Sequence, residues 1–539
     1  MTTIDTHVGA ATRASSSGSP LLGAVADWVT SGDHKRIGRL FVGFSLLFAV
    51  SSAVVGVLLG FERMQPKGLQ LVPGDSVLQL LSVYRFGLVF AVLSPLFVGL
   101  AVAVVPLQVG SRAISFPRLA QSGFWMWFFG VVLVIISIVG NGGPGGGATD
   151  LVDLYLLGFG LAMVGILAAS LSVAITILTS RAPGMTLDLV PAFSWSALVG
   201  SVATLLTLPV ALGTVVYLYV DHTHGKVAFG GNKDIDKWIG WVSSQPQTFV
   251  FIVMALGVLA EVAPVAARGR QPMRFLVLVG TGLVSTATLG AVTQSSHVLE
   301  WSGSLGDKAK SAVPFLLFNG LPVLGVLVVV GAALLALKEG KPKVTSPVLF
   351  ATVGSLFVLA GVAGHFVASI SSASLAGTSF EDGVVLYMVL GGLLSAMGGL
   401  THWSPKLWGR VLDEKKVVGL VGLGVIGTIA AALPLYIAGF ADQPAGAVYD
   451  FDYSGPVALW NSVSAIGLAI VVLMVVAFAG LLASSVAKGE QATDDPWDAH
   501  TLEWAVPSPA PLNNFDELVT VSSSEPLLDA KPAPQEVSS

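Results

Sequence analysis

Twelve runs of mostly apolar residues constrain this chain more than any other feature. They cover about 37–60, 79–105, 122–140, 153–179, 193–218, 247–267, 274–297, 313–337, 347–371, 383–403, 417–440 and 457–485. Each is close to the roughly 20 residues that a helix needs to cross a bilayer's hydrocarbon core. Only helices and closed barrels satisfy their backbone polar groups in lipid, and the runs are about twice the length of a barrel strand. The fold class that follows is all-α and polytopic, with about twelve transmembrane helices. Composition agrees. The chain is 54% hydrophobic and 11% charged, whereas soluble domains carry about a quarter charged residues. Connections between runs are short. Only Asp221–Ser244 leaves room for an extra element, and no internal repeat is visible.

Basic residues give the orientation. With both termini on one side of the membrane, nineteen Lys and Arg fall on that side and seven on the other; Arg85 alone lies inside a run. The positive-inside bias makes the nineteen-residue side cytoplasmic, which implies a multi-pass protein of the cell (inner) membrane with cytoplasmic termini. Three segments follow: a polar N-terminal stretch, 1–30, without the pattern of a signal peptide; the twelve-helix domain, 31–487; and an acidic, Pro/Ser-rich cytoplasmic tail, 488–539, that reads as solvated. Net charge −5 and the lack of a basic arm exclude nucleic acid as a partner, leaving the lipid bilayer as the first one. The absence of cysteine excludes disulfides, thiolate metal sites and Fe–S clusters.

Few local motifs carry chemistry. The Gly-rich stretch Asn141–Ala148 lacks the Lys-Ser or Lys-Thr that a phosphate cradle needs, and reads as a flexible outer loop. Asp221-His222-Thr223-His224 offers two imidazoles without a third ligand nearby, so an exposed polar loop is the plainer reading. Arg85 is more informative. A guanidinium inside a span needs either a carboxylate or an outward-reaching position. Glu381 and Asp382, at the outer start of the tenth run, are the available carboxylates.

A series of segments then stands in an order similar to subunit I of the haem–copper oxidases, the cytochrome c oxidase type. Thr30-Ser31-Gly32-Asp33-His34-Lys35-Arg36-Ile37-Gly38 resembles that family's entry into its first helix, and Pro66-Lys67-Gly68-Leu69-Gln70 resembles the exit. Val105-Pro106-Leu107-Gln108-Val109-Gly110, Phe116-Pro117-Arg118-Leu119 and Arg181-Ala182-Pro183-Gly184-Met185-Thr186 follow. Trp403-Ser404-Pro405-Lys406, Leu412-Asp413-Glu414, Asp495-Pro496-Trp497 and Thr501-Leu502-Glu503-Trp504, with Pro509, Pro511, Asn513 and Phe515, complete a resemblance spanning about residues 25 to 515.

The resemblance implies two haems and a copper held by six histidines, and here the chain departs from it. Aligned on Pro95, the low-spin haem ligand of the second helix falls at Tyr84. The sixth-helix His-Pro-Glu-Val-Tyr becomes Gln245-Pro246-Gln247-Thr248-Phe249. The paired copper histidines of the seventh helix fall at Ser296 and His297, and the tenth-helix haem ligands at Val384 and Leu386. The arginine pair that faces the haem carboxylates is missing from Pro434-Leu435-Tyr436. The proton-channel Asp and Lys become Ala113 and Leu316. Val and Leu have no lone pair for iron, and Met388 is isolated.

These departures imply a respiratory-oxidase subunit that has lost oxygen-reducing chemistry. The expectation is an accessory or structural partner of other oxidase subunits, without catalytic residues and with no cofactor. On this reading the former haem region holds an ion pair between Arg85 and Asp382, and side chains or lipid tails fill its space. Two alternatives stand beside it: an active oxidase subunit I with unusual haem ligation, and a transporter or proton pore through the altered cofactor region.

Overall fold

The computed structural model describes residues 26–293, 297–448, 451–453, 455–517 and 519–531. Among them the chain is helical, with only isolated bridges between extended segments. Helices α1 (His34–Glu62), α2 (Gly74–Phe86, continuing to Gln108), α3 (Pro117–Val139), α4 (Thr149–Thr179) and α5 (Ala192–Thr223) lead to a short helix, α6 (Ile235–Ser244). Then come α7 (Gln247–Ala267), α8 (Arg274–Thr293), α9 (Leu305–Phe315, continuing to Glu339), α10 (Ser346–Ala368), α11 (Ser379–Trp408), α12 (Glu414–Phe440) and α13 (Val457–Lys488). Among the described residues, eleven helical stretches are long and apolar enough to span a bilayer, and Arg274–Gly290 is a shorter apolar one. The extra element that Asp221–Ser244 leaves room for is α6.

Three helices occupy the interior. The apolar windows of α2, α7 and α11 are almost wholly buried, while the other spans bury only part of theirs. Phe86–Val105 of α2 has no polar face, which suits lipid as well as an interior, so its full burial follows from the helices packed around it. Around these three, α13, α1, α3, α4, α5, α8, α9 and α10 pack successively, with α12 between α11 and α13. Small residues set the closest crossings. A Cβ at Gly130 of α3 would stand 2.4 Å from the Ala162 backbone nitrogen of α4, so only glycine permits that approach.

Prolines explain two irregularities. In α2 the turn Gly87–Leu93 widens to π-helical geometry directly before Ser94-Pro95, and in α9 Leu316–Gly320 does so before Leu321-Pro322. A proline lacks the N–H for its helical bond, and a wider turn accommodates the defect without breaking the span.

The tail departs from expectation. Instead of being solvated, the described residues between Asp495 and Lys531 fold back beneath the helix ends, and Ala499, His500, Leu502, Glu503, Trp504 and Asn514 are buried. Lys35 Nζ donates to Asn514 Oδ1 (3.1 Å) and to the Leu512 carbonyl (3.2 Å), tying the tail to the start of α1. The acidic and proline-rich average conceals widely spaced apolar anchors. The Gly-rich loop is likewise built rather than loose: Gln79 Nε2 donates to Asn141 Oδ1 (2.6 Å), and Gly145 N–H to the Asn232 carbonyl (3.0 Å).

Candidate functional site

The candidate site is a cavity of about 540 Å³ between α1, α2, α6, α11, α12 and α13. Its apolar wall includes Leu59, Leu88, Val385, Leu386, Leu435 and Leu468. Tyr84 also lines it, with its ring against Gly56, where a Cβ would collide with it at 2.7 Å. Tyr84 and Leu386, the aligned low-spin haem positions, therefore border one space. Side chains leave that space open, which sets aside the first of the two expected fillings, side chains or lipid tails.

Charge gathers at its outer rim. Asp382, in the first turn of α11, accepts from the Gly446 N–H (2.8 Å) and lies 3.3 Å from Arg63 Nη2 and 3.9 Å from Arg85 Nη2. Arg85 Nη1 stands 3.5 Å from Asp236 of α6. Sequence reasoning named Arg85, Asp382 and Glu381 but missed Arg63 and Asp236, because both read as loop residues. A Cβ at Gly446, where φ is +61°, would stand 3.0 Å from Arg85 Nη2, so this turn also depends on glycine. Arg63 is held further by its Nε, which donates to the Ala447 carbonyl (3.0 Å), while Asn461 donates to the Arg63 carbonyl (3.0 Å).

The second region, where the family places oxygen chemistry, is packed differently. Val384 is buried on α11 against Gly361 and Gly364 of α10. Gln245 Nε2 donates to the Ala287 carbonyl (2.9 Å). His297 Nε2 lies 2.7 Å from the Gly290 carbonyl, and its ring rests on Phe318. Ser296 lies outside the described residues. Across the α7–α10 seam, His365 meets the edge of Phe249. Among the described residues, no three His, Asp or Glu side chains converge as a metal set would. His222 and His224 are separated in role: His222 Nδ1 is 2.7 Å from Asp153, and His224 Nδ1 is 2.9 Å from the Val220 carbonyl.

A family model described as "Cytochrome C and Quinol oxidase polypeptide I" matches residues 36–489. Cytochrome c oxidase subunit 1 of Bacillus subtilis is 29% identical, covering 94% of this chain and 83% of that protein. A putative cytochrome c oxidase subunit 1-beta of Streptomyces avermitilis is 27% identical, covering 94% and 92%. Quinol oxidase subunit 1 of Bacillus subtilis is 25% identical, covering 94% and 80%.

These matches correct the expectation of no cofactor, because the matching family binds haem and copper. The expectation rested on counting imidazoles, which overlooks other donors and the shape of the site. The cavity beside Tyr84 and Leu386 has a volume within the roughly 300–1,000 Å³ common for ligand pockets. Its wall offers the Tyr84 phenol oxygen beside other oxygen-bearing side chains, among them Asp382, Asn461 and Ser464, and its rim offers guanidiniums for carboxylates. The residues aligned with the oxygen-reducing centre do not fit an iron–copper pair, since Val384 has no donor and Gln245, in place of an imidazole, turns its amide N–H to the Ala287 carbonyl.

Proposed function

The chain belongs to the cytochrome c and quinol oxidase polypeptide I family, and we propose that within it this is an accessory subunit of a membrane respiratory terminal oxidase, one that does not itself reduce oxygen. One observation carries the reading: α7 and α11 lie in the bundle's interior, yet Val384 of α11 is packed against α10 and Gln245, just before α7, is bonded to α8 backbone. Oxygen reduction needs axial and copper donors at those places, and an alkyl side chain cannot supply one.

Family membership also supports a retained low-spin cavity. A haem bound there supplies one-electron transfer. Tyr84 is the residue of this chain placed to offer iron an oxygen, and Arg63 and Arg85 are placed to meet carboxylates at the rim. Catalase-type ligation by tyrosine is chemical precedent for such a donor. Asp382 holds both guanidiniums at that rim, and Gly446 caps it. The ligand assignments at Tyr84, Arg85 and Asp382 are part of this proposal.

The test is affinity purification of the tagged full chain from its native membranes in mild detergent. Other subunits of a terminal oxidase should co-purify in fixed ratio. Recovery of the chain alone, with the oxidase intact elsewhere, would overturn the accessory assignment.

A further inference from the structure

We propose that Glu261, Thr501 and Glu503 form a proton-binding site at the seam between the membrane bundle and the C-terminal segment, so that docking of this segment takes up one proton from the inner aqueous phase.

The geometry starts from two buried carboxyl groups that meet across the seam. Glu261 sits near the inner end of α7 and is 5% exposed; Glu503 sits in the tail's short turn Leu502–Ala505 and is 0% exposed. Glu261 Oε2 accepts the Phe193 N–H at the start of α5 (3.1 Å), and Oε1 accepts the Thr501 hydroxyl (3.2 Å). Glu503 Oε1 accepts from Gln108 Nε2 (2.9 Å) and Trp403 Nε1 (3.2 Å), whereas Oε2 is fully buried with no hydrogen-bond partner. The Thr501 hydroxyl lies against Glu503 as well as Glu261. It has a single hydrogen, so it cannot satisfy both carboxylates. Arg274 and Lys406 stand near enough to attract the pair, but two like charges at this depth remain costly, and one carboxyl resolves the conflict by carrying a proton.

A second observation lies beside the pair. A cavity of about 20 Å³ is lined by Glu261, Gln271, Arg274, His500, Thr501 and Glu525. It has room for one water molecule. His500 Nδ1, Gln271 Oε1 and Glu525 Oε2 on its wall are buried without hydrogen-bond partners. His500 is itself 2% exposed.

The charged groups around the site have other duties. Arg274 Nε donates to the Asp188 carbonyl (3.2 Å), and Glu525 accepts the Gln271 N–H (3.1 Å). Lys406 Nζ donates to the Asp494 carbonyl (2.7 Å) and sits over Trp504. None of these donors reaches Glu503 Oε2. Burial holds the Glu503 carboxyl above the ordinary carboxylate range, against the opposing pull of Gln108, Thr501 and Trp403.

The proton balance is simple. On docking, one carboxylate of the pair takes a proton from inner-side water and becomes a carboxylic acid whose O–H points into the pair. On release of the tail it returns that proton to water.

The experiment uses the full chain in lipid nanodiscs. Infrared spectroscopy at neutral pH should show the carbonyl band of an un-ionised, buried carboxylic acid, diminished in both Glu503→Gln and Glu261→Gln. Amide hydrogen exchange at 499–506, corrected for intrinsic rates, should report docking that weakens as pH rises from about 6.5, where His500 is neutral docked or free, toward the docked pair's raised pKa, approaching about tenfold per pH unit because one proton is linked, and that levels off above it. Glu503→Gln carries its own hydrogen and should stay docked across that range. PH-independent docking in the wild type, or a carboxylic-acid band unaffected by both substitutions, would overturn the proposal. If Glu503→Gln fails to fold, the wild-type slope and Glu261→Gln decide the matter.

Discussion

At the scale of single residues, Asp382 is the hub of the outer site. Arg63, Arg85 and the Gly446 N–H all converge on its carboxylate. Asp382→Leu leaves two partly buried guanidiniums without their shared anion, an expected loss of about 3–5 kcal/mol. Arg85→Leu should cost less, because Arg63 remains 3.3 Å from Asp382. Thermal unfolding in detergent checks the order; equal losses would contradict the hub. Arg85 was legible in the sequence as an isolated cation in an apolar run. Arg63 was not, because its partner lies 319 positions away and only folding brings them together. Beside the Glu261–Thr501 contact, burial pushes His500 down to about 4. A lowered base favours the docked tail above its free value near 6.5 and loses that stabilisation as pH falls toward 4. Acid release of the tail over this window should shrink in His500→Asn, as read by protection of 499–506. An unchanged acid profile would count against it.

At the scale of elements, the apolar runs marked the helices because lipid imposes both length and hydrophobicity, and neither depends on tertiary contacts. What they did not reveal was depth. Runs of similar hydropathy became the buried α2 and the half-buried α13, since burial is decided by neighbours. The π-helical turns were also hidden, although Pro95 and Pro322 mark their places. Helix contact is set by small residues, which gives a paired test. Gly130→Val forces α3 away from Ala162 of α4 and should cost about 1–3 kcal/mol. Gly213→Ala on α5, where the added methyl meets nothing within 4 Å, should be neutral or slightly stabilising. Similar losses at both positions would show that close crossing is not the determinant.

At the scale of the whole molecule, the family resemblance carried the fold, while the missing imidazoles led the cofactor reading astray. Ligand positions can be read from sequence, but a cavity between six helices cannot. The proposed topology follows from the Lys and Arg asymmetry, and the cysteine-free chain makes it testable. Single cysteines at Ser302 and Lys343, both exposed and on opposite ends of the bundle, should react with impermeant thiol reagents from opposite sides. Ser346 would serve poorly, since it is buried and bonded to Glu414. Labelling of both from one side would contradict the topology. The central claim is that a subunit-I scaffold with this interior does not reduce oxygen. Its most direct test is oxygen uptake by the purified full chain, free of other oxidase subunits and supplied with reduced cytochrome c or quinol. The account predicts no uptake above the protein-free control; sustained turnover in proportion to protein would contradict it.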